Sequence, residues 1–136
     1  MIVADVNLIA YLLLGGPNQD LAQRVLERDS TWGAPLLWRS EFRSVLAAFM
    51  RQRDLTLGDA RRAHDLAEQL LAGREFTVPG ARVLEMVAAS DCSAYDCEYV
   101  ALAEELAAPL VTADRQLLRA FPERAISPKD FVAGAA

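Results

Sequence analysis

The sequence predicts an α/β domain built on a parallel sheet with helices on both faces. Three observations carry that prediction. Short apolar runs of four or five residues alternate with longer segments of helical periodicity, the 136 residues contain 53% apolar and 24% charged side chains, and the glycines and prolines are scattered rather than clustered. Parallel strands need helical crossovers to connect them, so this alternation implies parallel order. The length and apolar content suit one domain with its own core, over residues 1–136.

The elements follow in order. Met1 to Ala4 is an apolar run ending at Asp5, after which Leu8, Ile9, Tyr11, Leu12 and Leu13 carry helical apolar density until Gly15, Gly16 and Pro17 stop it. From Asp20 to Glu27 the residues Leu21, Ala22, Val25 and Leu26 recur at helical spacing. Ser30 to Gly33 ends that helix, and Ala34 to Leu37 reads as a short buried strand. A long helical pattern follows with Glu41 in its first turn and Phe42, Val45, Leu46 and Phe49 on one face, running to Arg53. Thr56, with Asp59 three residues later, marks the cap of a second amphipathic helix that carries Ala60, Ala63, Leu66, Ala67, Leu70 and Leu71. Gly73 ends this helical pair, and Glu75 to Val78 is a strand. Pro79 and Gly80 turn into a helix from Arg82 to Ala89, and Ser93 caps another through Ala108. Pro109 to Thr112 is a strand that meets Asp114, Arg115 to Phe121 a short helix, and Ala125 and Ile126 a last brief strand before Pro128 and a tail of small residues.

Composition excludes several function classes. A net charge of −5 argues against a protein coated in positive charge for general nucleic-acid binding, so any polyanion has to be held locally. Lys129 is the sole lysine beside thirteen arginines, which leaves almost nothing for Schiff-base or P-loop chemistry. The longest apolar stretch, Leu8 to Leu14, is far short of the roughly 18 residues a membrane span needs, and Asp5 interrupts any signal-peptide core, which predicts a cytoplasmic protein with no membrane partner. Cys92 and Cys97 stand at a spacing unsuited to a bridge and read as packing residues. His64 is the only histidine and no Cys-x-x-Cys pair occurs, so zinc is not implied. His64 is expected at the surface, and Trp32 and Trp38 in the packing around a buried strand.

Four acids stand where strands give way to helices. Asp5 and Asp114 directly follow predicted strands, Glu41 opens the helix after a strand, and Asp96 lies in the first turn of the helix that begins near Ser93. In a parallel α/β sheet this places all four on the carboxyl rim, where ligands bind. Each has a local alternative: Asp5 and Asp114 as N-caps, Glu41 answering a helix dipole, Ser93-x-x-Asp96 as a capping box. Together they would repel strongly unless a cation neutralised them or some stayed protonated. Hard oxygen donors without nearby histidine or cysteine suit Mg²⁺ or Mn²⁺. Such a cluster can activate a metal-bound water for in-line attack on a phosphodiester, which is nuclease chemistry.

The segments Val3-Ala4-Asp5-Val6-Asn7, Ser93-Ala94-Tyr95-Asp96 with Tyr99-Val100-Ala101-Leu102-Ala103, and Val111-Thr112-Ala113-Asp114-Arg115-Gln116-Leu117-Leu118, with Glu41 between them, resemble a PIN-domain protein. The resemblance spans nearly the whole chain, and the length and order of acids are similar to those of bacterial VapC toxins. It implies a three-layer α/β/α sandwich with a mostly parallel sheet, and Mg²⁺- or Mn²⁺-dependent ribonuclease activity. It also implies a homodimer and neutralisation by a cognate VapB-like antitoxin laid over the active site. Carried over residue by residue, Asp5, Glu41, Asp96 and Asp114 match the acidic metal-site residues, and Asn7 and Thr112 match polar positions that support the site.

Arg39 and Arg43, four apart around Glu41, are the arginines expected to meet an RNA backbone or an antitoxin carboxylate. Arg51, Arg53, Arg61 and Arg62 are further candidates, and a solvated helix face is the alternative for each. A haloacid-dehalogenase-type phosphatase fits Asp5-x-Asn7 only in part, because a second Asp is absent and Lys129 is the lone lysine. A PIN-like module that binds RNA or protein without cutting is the remaining alternative, and its signature, loss of acids, is absent.

Overall fold

Ile2, Val3 and Ala4 each have no solvent exposure, although successive residues of a strand point to opposite faces of its sheet. Helices must therefore cover both faces. In the computed structural model, which describes residues 1–134, these residues form β1 (Ile2–Ala4) at the centre of a five-stranded, wholly parallel sheet of order β3-β2-β1-β4-β5. The other strands are β2 (Trp32–Pro35), β3 (Glu75–Phe76), β4 (Leu110–Val111) and β5 (Ala125–Ile126). Ile2 pairs with Trp32 on one side, while Val3 and Ala4 pair with Leu110 and Val111 on the other. The chain lays down β2 and β3 to one side of β1 and then returns to its other side for β4 and β5. Strand order thus reverses between β1 and β4, and the crevice beyond their carboxyl ends is the natural ligand position of such a sheet.

Among the described residues, eight helices accompany the sheet: α1 (Val6–Leu14), α2 (Gln19–Arg28), α3 (Trp38–Gln52), α4 (Leu57–Leu71), α5 (Gly80–Ala88), α6 (Ala94–Leu106), α7 (Arg115–Ala120) and α8 (Pro128–Val132). Their starts are set by local chemistry. The Thr56, Ser93 and Ser127 hydroxyls accept the N–H groups of Asp59, Asp96 and Asp130, and each such cap contributes about 1 kcal/mol. Gly15, at φ +78°, ends α1 in the left-handed region that glycine adopts without a Cβ penalty. The middle of α6 is enclosed by the fold: Cys97, Tyr99, Val100, Ala101, Leu102 and Ala103 are all buried, and the helix packs on β1, β2 and β4. The buried run from Tyr99 to Ala103 anchors this helix, which carries Asp96 to the sheet's rim on a fixed support.

Two elements differ most from the sequence reading, while β3 and β4 are shorter than expected and α5 starts earlier, at Gly80. β2 begins at Trp32 instead of Ala34, because Trp32 and Gly33 pair with Ile2 and Val3; Leu36 and Leu37 form the turn into α3, which starts at Trp38. α8 forms where a tail of small residues was expected, capped by Ser127 with Pro128 at its start. Cys92 precedes α6, and both cysteines are free and buried, as their packing role requires.

Gly33 shows how tightly β2 is enclosed. A Cβ there would meet Phe76 Cε2 at 3.2 Å and the Arg74 carbonyl at 3.4 Å. Overpacking costs about 1–3 kcal/mol, and the lost freedom of the unfolded chain returns about 0.4–1 kcal/mol. Gly33→Ala is therefore expected to lower stability by about 1 kcal/mol in urea unfolding. A gain instead would mean that the Phe76 ring yields freely.

Candidate metal centre

The pairing of β1 with β4 brings Asp5 and Thr112, each the residue after its strand, side by side. The Thr112 hydroxyl is fully buried and donates to Asp5 Oδ2 at 2.6 Å, and its oxygen accepts the Asp114 N–H at 3.1 Å. Asp5 stands at the N-cap position of α1 but its carboxylate makes no capping bond, so the local alternative for this residue fails. Asp114 does cap α7: its Oδ1 accepts the N–H groups of Gln116 and Leu117. The Ser93 hydroxyl accepts the Asp96 N–H, yet the Ser93 N–H does not donate back to the Asp96 carboxylate, so the pair closes no capping box. Glu41, in the first turn of α3, accepts the Tyr99 hydroxyl on Oε1 at 2.8 Å.

These side chains share one cleft of about 440 Å³, lined by Asp5, Val6, Asn7, Glu41, Ser44, Val45, Ala48, Asp96 and Asp114. No arginine, lysine or histidine lines it, and no ion pair among the described residues includes any of the four acids. Burial therefore raises the carboxyl of Asp5 above its ordinary range, with the Thr112 bond opposing and the charges of Asp96 and Asp114 adding. Glu41 is raised in the same way, by burial first, against the Tyr99 bond. Asp96 is raised by burial and then by Asp114. The Tyr99 hydroxyl is pushed far above its usual value by burial and by the Glu41 carboxylate, and so remains a donor.

A concentration of oxygen donors without a counter-charge matches what Mg²⁺ or Mn²⁺ requires. Among the described residues, the trio with ligand atoms all within 4.8 Å of one another is His64, Asp65 and Glu68 on α4, so no three cleft acids approach that closely. The wider spacing still suits Mg²⁺, which takes one or two carboxylates directly and keeps several waters. The α4 trio is a poor cation site, because the guanidinium groups of Arg39 and Arg43 already hold Glu68 and His64.

The family model of the PIN domain matches residues 2–122. The chain belongs to the PIN-domain family. PIN domains are generally nucleases that use divalent metals. Solved structures agree on the fold. PAE2754 from Pyrobaculum aerophilum superposes with a TM-score of 0.77 at 18% identity, covering 98% of this chain and 95% of that one. FitAcB from Neisseria gonorrhoeae gives 0.73 at 20% identity, with 95% and 99% covered. A toxin-antitoxin complex from Klebsiella pneumoniae gives 0.71 at 15% identity, with 94% and 98% covered. No curated protein sequence matches the chain.

Within this PIN domain, the residues singled out by sequence divide into two groups. Asp5, Glu41, Asp96, Asp114 and Asn7 line the cleft, and Thr112 supports it from beneath. Asn7 is exposed at the cleft wall. Arg39 and Arg43 lie elsewhere. Arg39 donates through Nε and Nη2 to the Glu75 carboxylate at 2.6 and 2.9 Å and through Nη1 to Glu68 at 2.8 Å, which ties α3 to β3 and α4. Its guanidinium is committed within the fold, contrary to the expectation that it faces RNA or an antitoxin. Arg43 is exposed and donates to His64 Nε2 at 3.2 Å. Two residues from Glu41 on a helix is the opposite face, which is why neither arginine lines the cleft.

His64 is also misplaced by the sequence reading. It is half-buried between α3 and α4, with its ring stacked 6.2 Å from Trp38 and its Nδ1 bonded to Glu68 at 3.1 Å. Trp32 and Trp38 are fully buried, and their indole N–H groups donate to the Asp29 carbonyl and to Glu75. Sequence reasoning gave no role to Tyr99, although its place one helical turn after Asp96 signals that the two share a face of α6.

Proposed function

We propose that this PIN domain is a Mg²⁺- or Mn²⁺-dependent endoribonuclease, the toxin of a VapBC-type toxin-antitoxin system. The observation that carries the reading is the cleft in which Asp5, Glu41, Asp96 and Asp114 converge with no basic side chain among its walls. A phosphodiester is repelled by such a cleft unless a cation is present, so cleavage without a divalent ion should be negligible. Asp5, Glu41, Asp96 and Asp114 are the residues that would hold the ion, which when bound supplies an activated water nucleophile and neutralises charge on the phosphate in the transition state. The protein's part is orientation. Thr112 fixes Asp5, the amides at the start of α7 fix Asp114, and the buried body of α6 fixes Asp96. Asn7 stands at the wall, where a polar side chain can meet substrate or water.

The toxin role and its VapB-like antitoxin, the homodimer and the cytoplasmic setting are supported by the resemblance to VapC toxins. The structural likeness to a toxin-antitoxin complex and to FitAcB adds to that support.

The test is cleavage of a structured RNA by purified protein in Mg²⁺ or Mn²⁺, in EDTA, and by the Asp96→Asn variant. Cleavage is expected only for the wild type with a divalent ion. Equal cleavage in EDTA would remove the metal from the account. Intact RNA in every arm, with Mn²⁺ still bound, would favour a binding module that does not cut.

A further inference from the structure

Glu41 is the one cleft acid whose carboxylate is held by a side chain from a distant helix. Tyr99 lies on α6, three residues after Asp96, and reaches 58 positions back along the chain to donate its hydroxyl to Glu41 Oε1 at 2.8 Å. The ring is 1% exposed and has no freedom to turn away. Glu41 Oε2 accepts from no described residue. No buried side-chain oxygen among the described residues lacks a partner, so Oε2 remains accessible. One oxygen is thus held from the protein side and the other left open in a residue that lines the cleft.

Long glutamate side chains lose much rotamer freedom when fixed, and among the described residues no other hydrogen bond or ion pair holds this one. The same helix presents Asp96 and, one turn later, the tyrosine that sets Glu41, so α6 determines the relative placement of two acids from different elements.

We propose that Tyr99 is a positioning residue of the cation site, which orients the Glu41 carboxylate through its hydroxyl. This inference rests on the reading of the cleft as a divalent-cation site and adds to it a residue that touches neither ion nor substrate. Groups that hold a metal ligand in place typically matter about 10–100-fold in metal affinity or activity. Tyr99→Phe keeps the buried ring and removes only the donor.

The experiment is a Mn²⁺ titration of the metal-free protein, followed by calorimetry and by water-proton relaxation, for wild type, Tyr99→Phe, Glu41→Ala and the double variant, with Asp96→Asn as control. Tyr99→Phe is expected to weaken Mn²⁺ binding about 10-fold. It should weaken it no further in the Glu41→Ala background, where no acceptor is left for the hydroxyl, because the tyrosine acts through that carboxylate. Its melting temperature in EDTA should stay within a few degrees of wild type. Mn²⁺ affinity within twofold of wild type for Tyr99→Phe, while Asp96→Asn loses binding, would overturn the positioning role and leave the cation site standing. The same loss in both backgrounds, or a variant that unfolds in EDTA, would make the hydroxyl a structural group and equally overturn it. Wild type that binds no Mn²⁺ would overturn the cation site and this inference with it.

Discussion

Asp5→Asn is expected to reduce metal-dependent RNA cleavage by at least about 10²–10³-fold, the loss typical of removing one electrostatic partner of a transition state, and to make the metal-free protein more stable. The second half follows from the direction in which burial moves Asp5. In the folded protein the carboxyl lies above its ordinary value of 3.8. Well below that value it is protonated in the folded and unfolded chain alike and contributes nothing. As pH rises through it, the unfolded chain releases the proton first while the fold retains its own, so stability falls until the folded carboxyl ionises too; beyond that point the penalty is constant. Asparagine carries none of this penalty and still offers an oxygen to the Thr112 hydroxyl. In EDTA at pH 8 the variant should therefore melt higher, by about 2–4 °C for each kcal/mol relieved, and the advantage should vanish towards pH 4. Adding Mn²⁺ reverses the order, because wild type gains about 2.7 kcal/mol at a hundredfold excess over its dissociation constant and the variant gains little. If Asp5→Asn instead melts several degrees lower in EDTA and Mn²⁺ shifts both proteins equally, Asp5 is a structural cap.

The rim of acids was legible because helix starts write themselves into short polar signatures. Thr56 with Asp59 and Ser93 with Asp96 gave both caps correctly, and the apolar runs before Asp5 and Asp114 placed those acids beyond neighbouring strands. The same signature, Ser127-Pro128-Lys129-Asp130, also marks α8, but its five residues carry too little periodicity to stand out against the small residues around them. Gly33 hid the start of β2, since a glycine reads as a break, whereas here the missing Cβ makes room for Phe76. The sequence reading failed most where one helix packs on another. Nothing local reveals that Arg39 pairs with Glu68 and Glu75, or that the rings of Trp38 and Phe42 on α3 lie against His64 on α4. These are pairings at long range, as is the bond from Tyr99 to Glu41, and periodicity within one element carries no information about them.

Thr112→Val tests the deepest support of the centre, because valine matches the shape of threonine and removes only its hydrogen bonds. The Thr112 oxygen serves two acids at once: it donates to the buried Asp5 carboxylate and accepts the backbone N–H of Asp114. A hydrogen bond to a charged group is worth about 1.5–3 kcal/mol, and leaving its partner buried and unmatched costs the desolvation of that group as well. The variant is expected to lose about 2–3 kcal/mol in urea unfolding at pH 8 in EDTA, and to bind Mn²⁺ about 10–100-fold more weakly. Thr112→Ser should recover most of both, since it restores the hydroxyl without the methyl. Combining Thr112→Val with Asp5→Asn should cost less than the sum of the two, because the buried charge that the hydroxyl stabilises is gone and a neutral amide oxygen loses less with its donor. Strict additivity, or a Thr112→Val protein as stable and as metal-binding as wild type, would mean that Asp5 is held by the backbone alone and that the hydroxyl between β1 and β4 is incidental.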